Sequence, residues 1–194
     1  ESRGLGRDIC GICRVNLGSM YLSIQTKSPS GELVKPDFCL QIQVCDPLAK
    51  ATQLMSEYYG VPYFVLDIPH SVRGNTLDYL VNQMLEATEW MERVTGIRYD
   101  DEKLIQAVLN EWESMVLWAR VCELQKAIPA PLDLRYLASL SMPMWTSKHK
   151  AETVALLKIL LSEVEERVRD GISARGEERC RLLHEGQWPW YYPR

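Results

Sequence analysis

No stretch of this 194-residue chain is apolar enough, for long enough, to span a membrane. Its first residues, ESRGLGRD, lack the apolar centre of a secretory signal, so no signal peptide is expected. Basic residues are not in excess: 22 Lys and Arg stand against 26 Asp and Glu, a net charge of −4. That gives no broad positive field for nucleic acid. Neither G-x-G-x-x-G, a Walker loop, G-x-S-x-G nor H-E-x-x-H occurs, which removes most nucleotide enzymes, α/β-hydrolases and zinc proteases. There is no internal repeat and no low-complexity tract. What remains is the composition of an ordinary globular protein, 46% hydrophobic and 25% charged. The six cysteines are irregularly spaced and have no secretory context, so they are expected as reduced thiols in a cytoplasmic setting. The chain begins without Met and ends in the aromatic run Trp188-Pro-Trp190-Tyr-Tyr192, and it is expected to be a piece of a longer protein.

The most telling residue that is present is Cys45. The segment DFCLQI, Asp37 to Ile42, suits a strand, and a helical pattern starts directly after Cys45-Asp46-Pro47. A cysteine between a strand and a helix faces the positive end of the helix dipole, which favours thiolate. Asp46 is expected as N-cap and Pro47 as the first helical residue of a helix running to about Tyr59, with Gly60 ending it. The apolar run PYFVLDI, residues 62–68, reads as a buried parallel strand. Residues 37–68 therefore predict strand–helix–strand, a crossover whose ligand sites lie at the carboxyl ends of the strands. Cys45, Asp67, Pro69 and His70 stand there.

The rest is mostly helical. Residues 5–24 predict a helix with Ile9, Cys13, Leu17, Met20 and Tyr21 on one face. One amphipathic helix carries Leu77, Leu80, Val81, Met84, Leu85, Met91 and Val94; a longer one carries Leu104, Ile105, Val108, Trp112, Met115, Ala119 and Cys122. A proline-containing break at residues 128–131 precedes a short helix, Leu132 to Leu140, and another helix spans Ala151 to Val168. A new strand is expected from Cys180 to His184. The fold class is α/β: a partial Rossmann-like parallel sheet unit over about 37–68, a large helical insert, and the first strand of a second α/β unit. The expected domains are a partial α/β domain at 1–70, a helical region at 71–175, and the start of a second α/β domain at 176–194.

Each candidate has a plain alternative. Cys45 is a thiolate site or a small buried hydrophobe at a strand end. Cys10 and Cys13 have C-x-x-C spacing, but the polar segment before them argues against a thioredoxin-like unit. Cys39 and Cys122 fit core positions better, and Cys180 is ambiguous. His70 is a proton donor or an ordinary loop histidine. His149, among lysines, reads as solvated. Arg14, one turn from Cys10, could balance thiolate charge or hold a phosphate, or it makes a surface salt bridge. The aromatics Trp188 and Trp190 line a pocket for a planar or acyl ligand, or they are core.

In order along the chain, these segments resemble a known family. Asp8-Ile-Cys10-Gly-Ile-Cys-Arg14-x-x-Leu-Gly18 is similar to the D-x-C-s-x-x-R-x-x-x-G element of the 2-hydroxyacyl-CoA dehydratase and benzoyl-CoA reductase family. Ile42-Gln-Val-Cys45-Asp46, then Lys50 and Val61-Pro62-x-x-x-Leu-Asp67-Ile-Pro69, resembles its cysteine–aspartate strand exit and next strand. Arg181-Leu-Leu-x-x-Gly186 with Pro189-Trp190 resembles its later turn.

The resemblance implies an anaerobic lyase or oxidoreductase built from two related subunits that hold 4Fe–4S clusters. An ATP-dependent activator iron–sulfur protein reduces the cluster, which passes one electron to an acyl-CoA thioester to give a ketyl radical anion. Cys10 and Cys45 match two cluster ligands, with Cys13 departing from the pattern and leaving open which of the pair binds metal, or a larger cluster. The family's third cysteine lies in a carboxyl-terminal domain that this stretch does not include, and Cys180 does not match it. This stretch alone is therefore expected to be inactive and to hold little or no stable cluster. Arg14, Trp188 and Trp190 are expected at the substrate, and His70 in catalysis. Two other readings stand beside this one: a double-cubane-cluster reductase of small molecules, and a non-enzymatic helical interaction domain with incidental cysteines.

Overall fold

The computed structural model of the chain describes residues 6, 9–22 and 35–182. They fall into two compact units, Glu1–Tyr99 and Asp100–Arg194. The first contains α1 (Gly11–Tyr21), β1 (Cys39–Gln43), α2 (Asp46–Tyr59), β2 (Tyr63–Asp67) and α3 (Thr76–Thr95). The second contains α4 (Asp101–Leu124), α5 (Leu134–Thr146) and α6 (Ala151–Arg169). The chain is thus mostly helical with a small parallel sheet, an α/β arrangement.

The expected strand–helix–strand unit is present. β1 and β2 pair in parallel, with Cys39 opposite Tyr63 and Gln43 opposite Asp67. Partners in a parallel pair point to the same side, and sides alternate along each strand. Tyr63 donates its hydroxyl to the Ala49 carbonyl at 3.0 Å, and Thr52 donates to Gln41 Oε1 at 2.9 Å, so the face bearing Cys39, Gln41 and Tyr63 carries α2. Phe38 and Phe64 both meet Trp90 edge-on or tilted at centroid distances of 5.4 and 5.3 Å, so the opposite face carries α3. The more buried face of β1 is the Cys39/Gln41 face, as expected for Cys39; the flanking Leu40 and Ile42 stay open. Burying Gln41 is tolerable because its amide oxygen accepts the Thr52 hydroxyl.

The helix after β1 starts one residue earlier than expected. Cys45, in extended conformation, is the N-cap, and Asp46 is already helical, with Pro47 in the first turn. Asp46 still meets the positive helix end, now as a first-turn acid. Gly60, at φ 63°, ends α2 in the left-handed region that favours glycine.

The core of the second unit is Val121, Leu132, Leu157, Leu160 and Val164, with Leu117, Trp118 and Leu140 against it. α5 begins two residues later than expected, because Asp133 caps it by accepting the N–H groups of Arg135 and Tyr136. Cys122 is exposed, a correction to its expected core position. The side of α4 that packs is set by Val121, Leu117 and Leu124, and Cys122 lies one residue round the helix from Val121. Burial by neighbours still raises its thiol pKa.

Cys180 to Leu182 is irregular chain where a strand was expected. The Arg181 side chain there donates to the Gln125 and Ala127 carbonyls at 2.9 and 2.6 Å, clasping the loop after α4. The remainder of that expectation, through His184, lies outside the described residues.

Candidate functional site

The site is built by two helices that start side by side. Cys10 is the N-cap of α1 and Cys45 the N-cap of α2. Cys13, Leu17 and Met20 of α1 are buried in one cluster with Ala51 of α2. At the far ends of the same helices, Tyr21 and Tyr58 meet edge-to-face at 5.4 Å. Starts and ends therefore correspond, and the two helices run in the same direction. Parallel neighbours place their positive ends together, an arrangement that favours negative charge at their starts.

Both capping cysteines are exposed, and Cys13 is buried. The backbone N–H groups of Cys13 and Ile12 hold the Cys10 thiol below its ordinary pKa of 9.0, against a smaller effect of desolvation, and the Cys13 thiol adds to the lowering. Those amides act by approach, since no closed capping hydrogen bond forms. Cys13 is pushed the other way: burial raises its pKa most, followed by repulsion and hydrogen bonding from Cys10, and then by the charge of Cys45. Cys10 and Cys45 thus both act on one thiol, although 34 residues lie between them in the sequence. Cys39, buried under α2, is also raised by burial.

His70 is exposed in the loop after β2, and Cys45 follows β1. Because the strands are parallel, both stand at the carboxyl edge of the sheet. The exit of β2 is fixed by two residues of α3 that the sequence reading did not single out. Gln83 donates to the Asp67 carbonyl and accepts the Asp67 N–H, both at 2.8 Å. Tyr79 donates to Asp67 Oδ2 at 3.0 Å, and that hydrogen bond raises the Tyr79 pKa. Their signal in the sequence is weak, an i,i+4 pair of hydrogen-bonding side chains among the many polar residues of an amphipathic helix. Arg14 is exposed on the first turns of α1, its N–H donating to the Cys10 carbonyl at 3.1 Å. Trp188 and Trp190 lie outside the described residues.

Among the described residues, no three His, Cys, Asp or Glu side chains are arranged to hold a metal ion. The described part offers two exposed thiols at positive helix ends, with a third buried beside them. That donor set suits a soft, thiolate-bound metal group in part: two ligands, not a closed cage.

The family model for the 2-hydroxyglutaryl-CoA dehydratase D-component matches residues 1–194. The chain belongs to the 2-hydroxyglutaryl-CoA dehydratase D-component family. Its relatives include the (R)-phenyllactyl-CoA dehydratase alpha subunit of Clostridium sporogenes, 29% identical over 100% of this chain and 48% of the relative. The (R)-2-hydroxyisocaproyl-CoA dehydratase alpha subunit of Clostridioides difficile is 27% identical, over 99% of this chain and 48% of its own length. A benzoyl-CoA reductase subunit of Thauera aromatica is 29% identical, over 98% of this chain and 47% of its own length. The chain spans about half the length of the curated relatives it matches. No helix among the described residues of this D-component family member is long and apolar enough to cross a membrane.

Proposed function

We propose that this chain is part of an iron–sulfur subunit that acts on an acyl-CoA thioester, with Cys10 and Cys45 as two thiolate ligands of a 4Fe–4S cluster. The observation that supports it most is the pairing of the N-caps: two distant exposed thiols cap two helices that start together, in a chain matched along its whole length by the family. Thiolates are the soft ligands such clusters need, and the paired helix starts offer N–H groups and positive potential to cluster sulfur. When bound, the cluster supplies low-potential electrons, one at a time, to the thioester.

The chain's own residues do the rest. Cys10 and Cys45 hold the group from two helix ends. Cys13 is buried in the cluster with Leu17, Met20 and Ala51 that joins the two helices. Arg14 offers a guanidinium to thiolate charge or to a phosphate of the CoA. His70 offers a proton at an imidazole nitrogen from the same sheet edge. The relatives bear dehydratase and reductase names, and this reading covers both reaction classes. It includes a partial Rossmann-like unit around 37–68, a homologous partner subunit, an ATP-dependent activator, a third ligand outside residues 1–194, and an anaerobic cytoplasmic setting.

Iron and acid-labile sulfide, measured on the full-length subunit purified without oxygen, test the reading. Wild type is expected to carry cluster iron, Cys10→Ser and Cys45→Ser to lose it, and Cys122→Ser to keep it. An iron-free wild type overturns the proposal. The 194-residue chain alone is expected to hold less than one cluster's iron; a stoichiometric cluster there removes the ligand placed elsewhere.

A further inference from the structure

Cys10 and Cys13 are the two halves of a C-x-x-C at the start of a helix, and they differ in the way a reversible dithiol requires. Cys10 sits outside the helix as its N-cap, at φ −40° and ψ 125°, and is exposed. Cys13 is in the first turn and 5% exposed, near enough to Cys10 for the two thiols to influence each other's ionisation. One thiol is open to a reagent, and the other waits behind it. Residues three apart on a helix have Cβ atoms about 5–6 Å apart, and a disulfide needs about 3.8 Å. Closing that gap moves the cap residue, which makes no side-chain capping hydrogen bond, and leaves the packed helix in place. The third thiol, Cys45, caps a different helix, so its approach would require one helix start to shift against the other.

We propose that Cys10 and Cys13 form a reversible intramolecular disulfide, with Cys10 as the attacking thiol and Cys13 as the resolving one. The oxidant is a small dialkyl disulfide such as oxidised glutathione. The Cys10 thiolate attacks one sulfur of the reagent, whose S–S bond breaks, releasing one thiol and leaving a mixed disulfide on Cys10. The Cys13 thiolate then attacks the Cys10 sulfur, the mixed S–S bond breaks, and a second small thiol leaves. The two protein thiols lose two electrons and two protons, and the reagent gains them as two thiols. The closed form removes Cys10 from any set of metal ligands. The inference does not rest on the iron–sulfur reading, because it concerns the metal-free thiols.

The test uses the whole 194-residue chain, stripped of metal with chelator under anaerobic conditions and exposed to oxidised glutathione. Free thiols are then alkylated and the chain is cut with trypsin. Cleavage after Arg7 and Arg14 yields the peptide Asp8–Arg14, which holds Cys10 and Cys13 and no other cysteine. The expected product is that peptide two hydrogens lighter and unalkylated, reverting to the doubly alkylated form after dithiothreitol. Cys13→Ala is expected to lose the internal disulfide and to accumulate the glutathione adduct on Cys10; Cys45→Ser is expected to keep the disulfide. Should Cys13→Ala fail to fold, Cys10→Ser gives the second arm, with Cys13 expected to remain alkylatable and free of adduct. A wild-type peptide that stays doubly alkylated, or Cys10 recovered in a cross-link to Cys45, overturns the proposal. Iron loading of the full-length subunit does not enter any of these readouts, so failure of the cluster reading is seen separately.

Discussion

His70 is exposed in a loop whose root is fixed by the Gln83 and Tyr79 hydrogen bonds to Asp67. A side chain on a fixed root can deliver a proton repeatedly to one place, which is what general acid catalysis requires. On the proposed acyl-CoA reading, turnover by the full-length subunit with its proposed partners is expected to fall about 10²-fold or more in His70→Ala. Unaltered turnover dismisses the role and leaves an ordinary loop histidine. At this scale much of the candidate site was legible. Strand-exit and helix-start chemistry pointed to Cys45, and C-x-x-C spacing to Cys10 and Cys13. Helical spacing also placed Cys13 on the inward face with Leu17 and Met20; what it could not tell was that Cys13 feels both other thiols, because that follows from α1 packing on α2. Cys122 shows the opposite error: a position on an apolar stripe is a statement about one helix, and its burial depends on where the neighbouring helix lies.

Helix starts and stops carry much of what makes the elements definite. Asp133 caps α5, and Arg175 donates to its Oδ2 at 2.8 Å from the segment after α6. Burial alone would push the Asp133 pKa up; the hydrogen bonds from Arg175, the Tyr136 N–H and Arg135, with the charge of Arg135, outweigh it and hold it below the ordinary 3.8. A carboxylate whose folded pKa is depressed contributes stability that is complete above the unfolded value and is lost as pH falls through the folded one. Asp133→Ala is therefore expected to cost about 1–2 kcal/mol at neutral pH, measured by urea unfolding. The gap between wild type and variant is expected to narrow as pH falls below the ordinary carboxylate value of 3.8. A gap that stays constant from neutral to acid pH contradicts the assignment. Elements of this kind were legible to within a few residues where a cap and a stop coincide, as in α2 between Cys45 and Gly60. They were illegible at Cys180, where apolar residues suggested a strand but Arg181 and Glu178 instead tie the chain to the loop after α4.

Across the molecule, the apolar stripes predicted for α3 and α4 are present but largely uncovered. Leu77 and Met84 of α3 are exposed, as are Ile105, Val108 and Trp112 of α4. Amphipathic spacing states that a helix has an apolar face; it does not state what covers that face. The chain spans about half of its relatives' length, so sequence pattern and local packing need not agree on where the core ends. This difference can be measured. Leu157 is 1% exposed in the core of the second unit, whereas Trp112 is 68% exposed. Leu157→Ala is expected to cost about 2–5 kcal/mol through lost burial and a cavity. Trp112→Gln is expected to change stability by less than about 0.5 kcal/mol, despite removing the larger side chain. Urea unfolding of both variants of the 194-residue chain checks the pair. Comparable losses at the two positions would mean that the α4 stripe is packed in solution, and that the core of this chain extends across a face the structure leaves open.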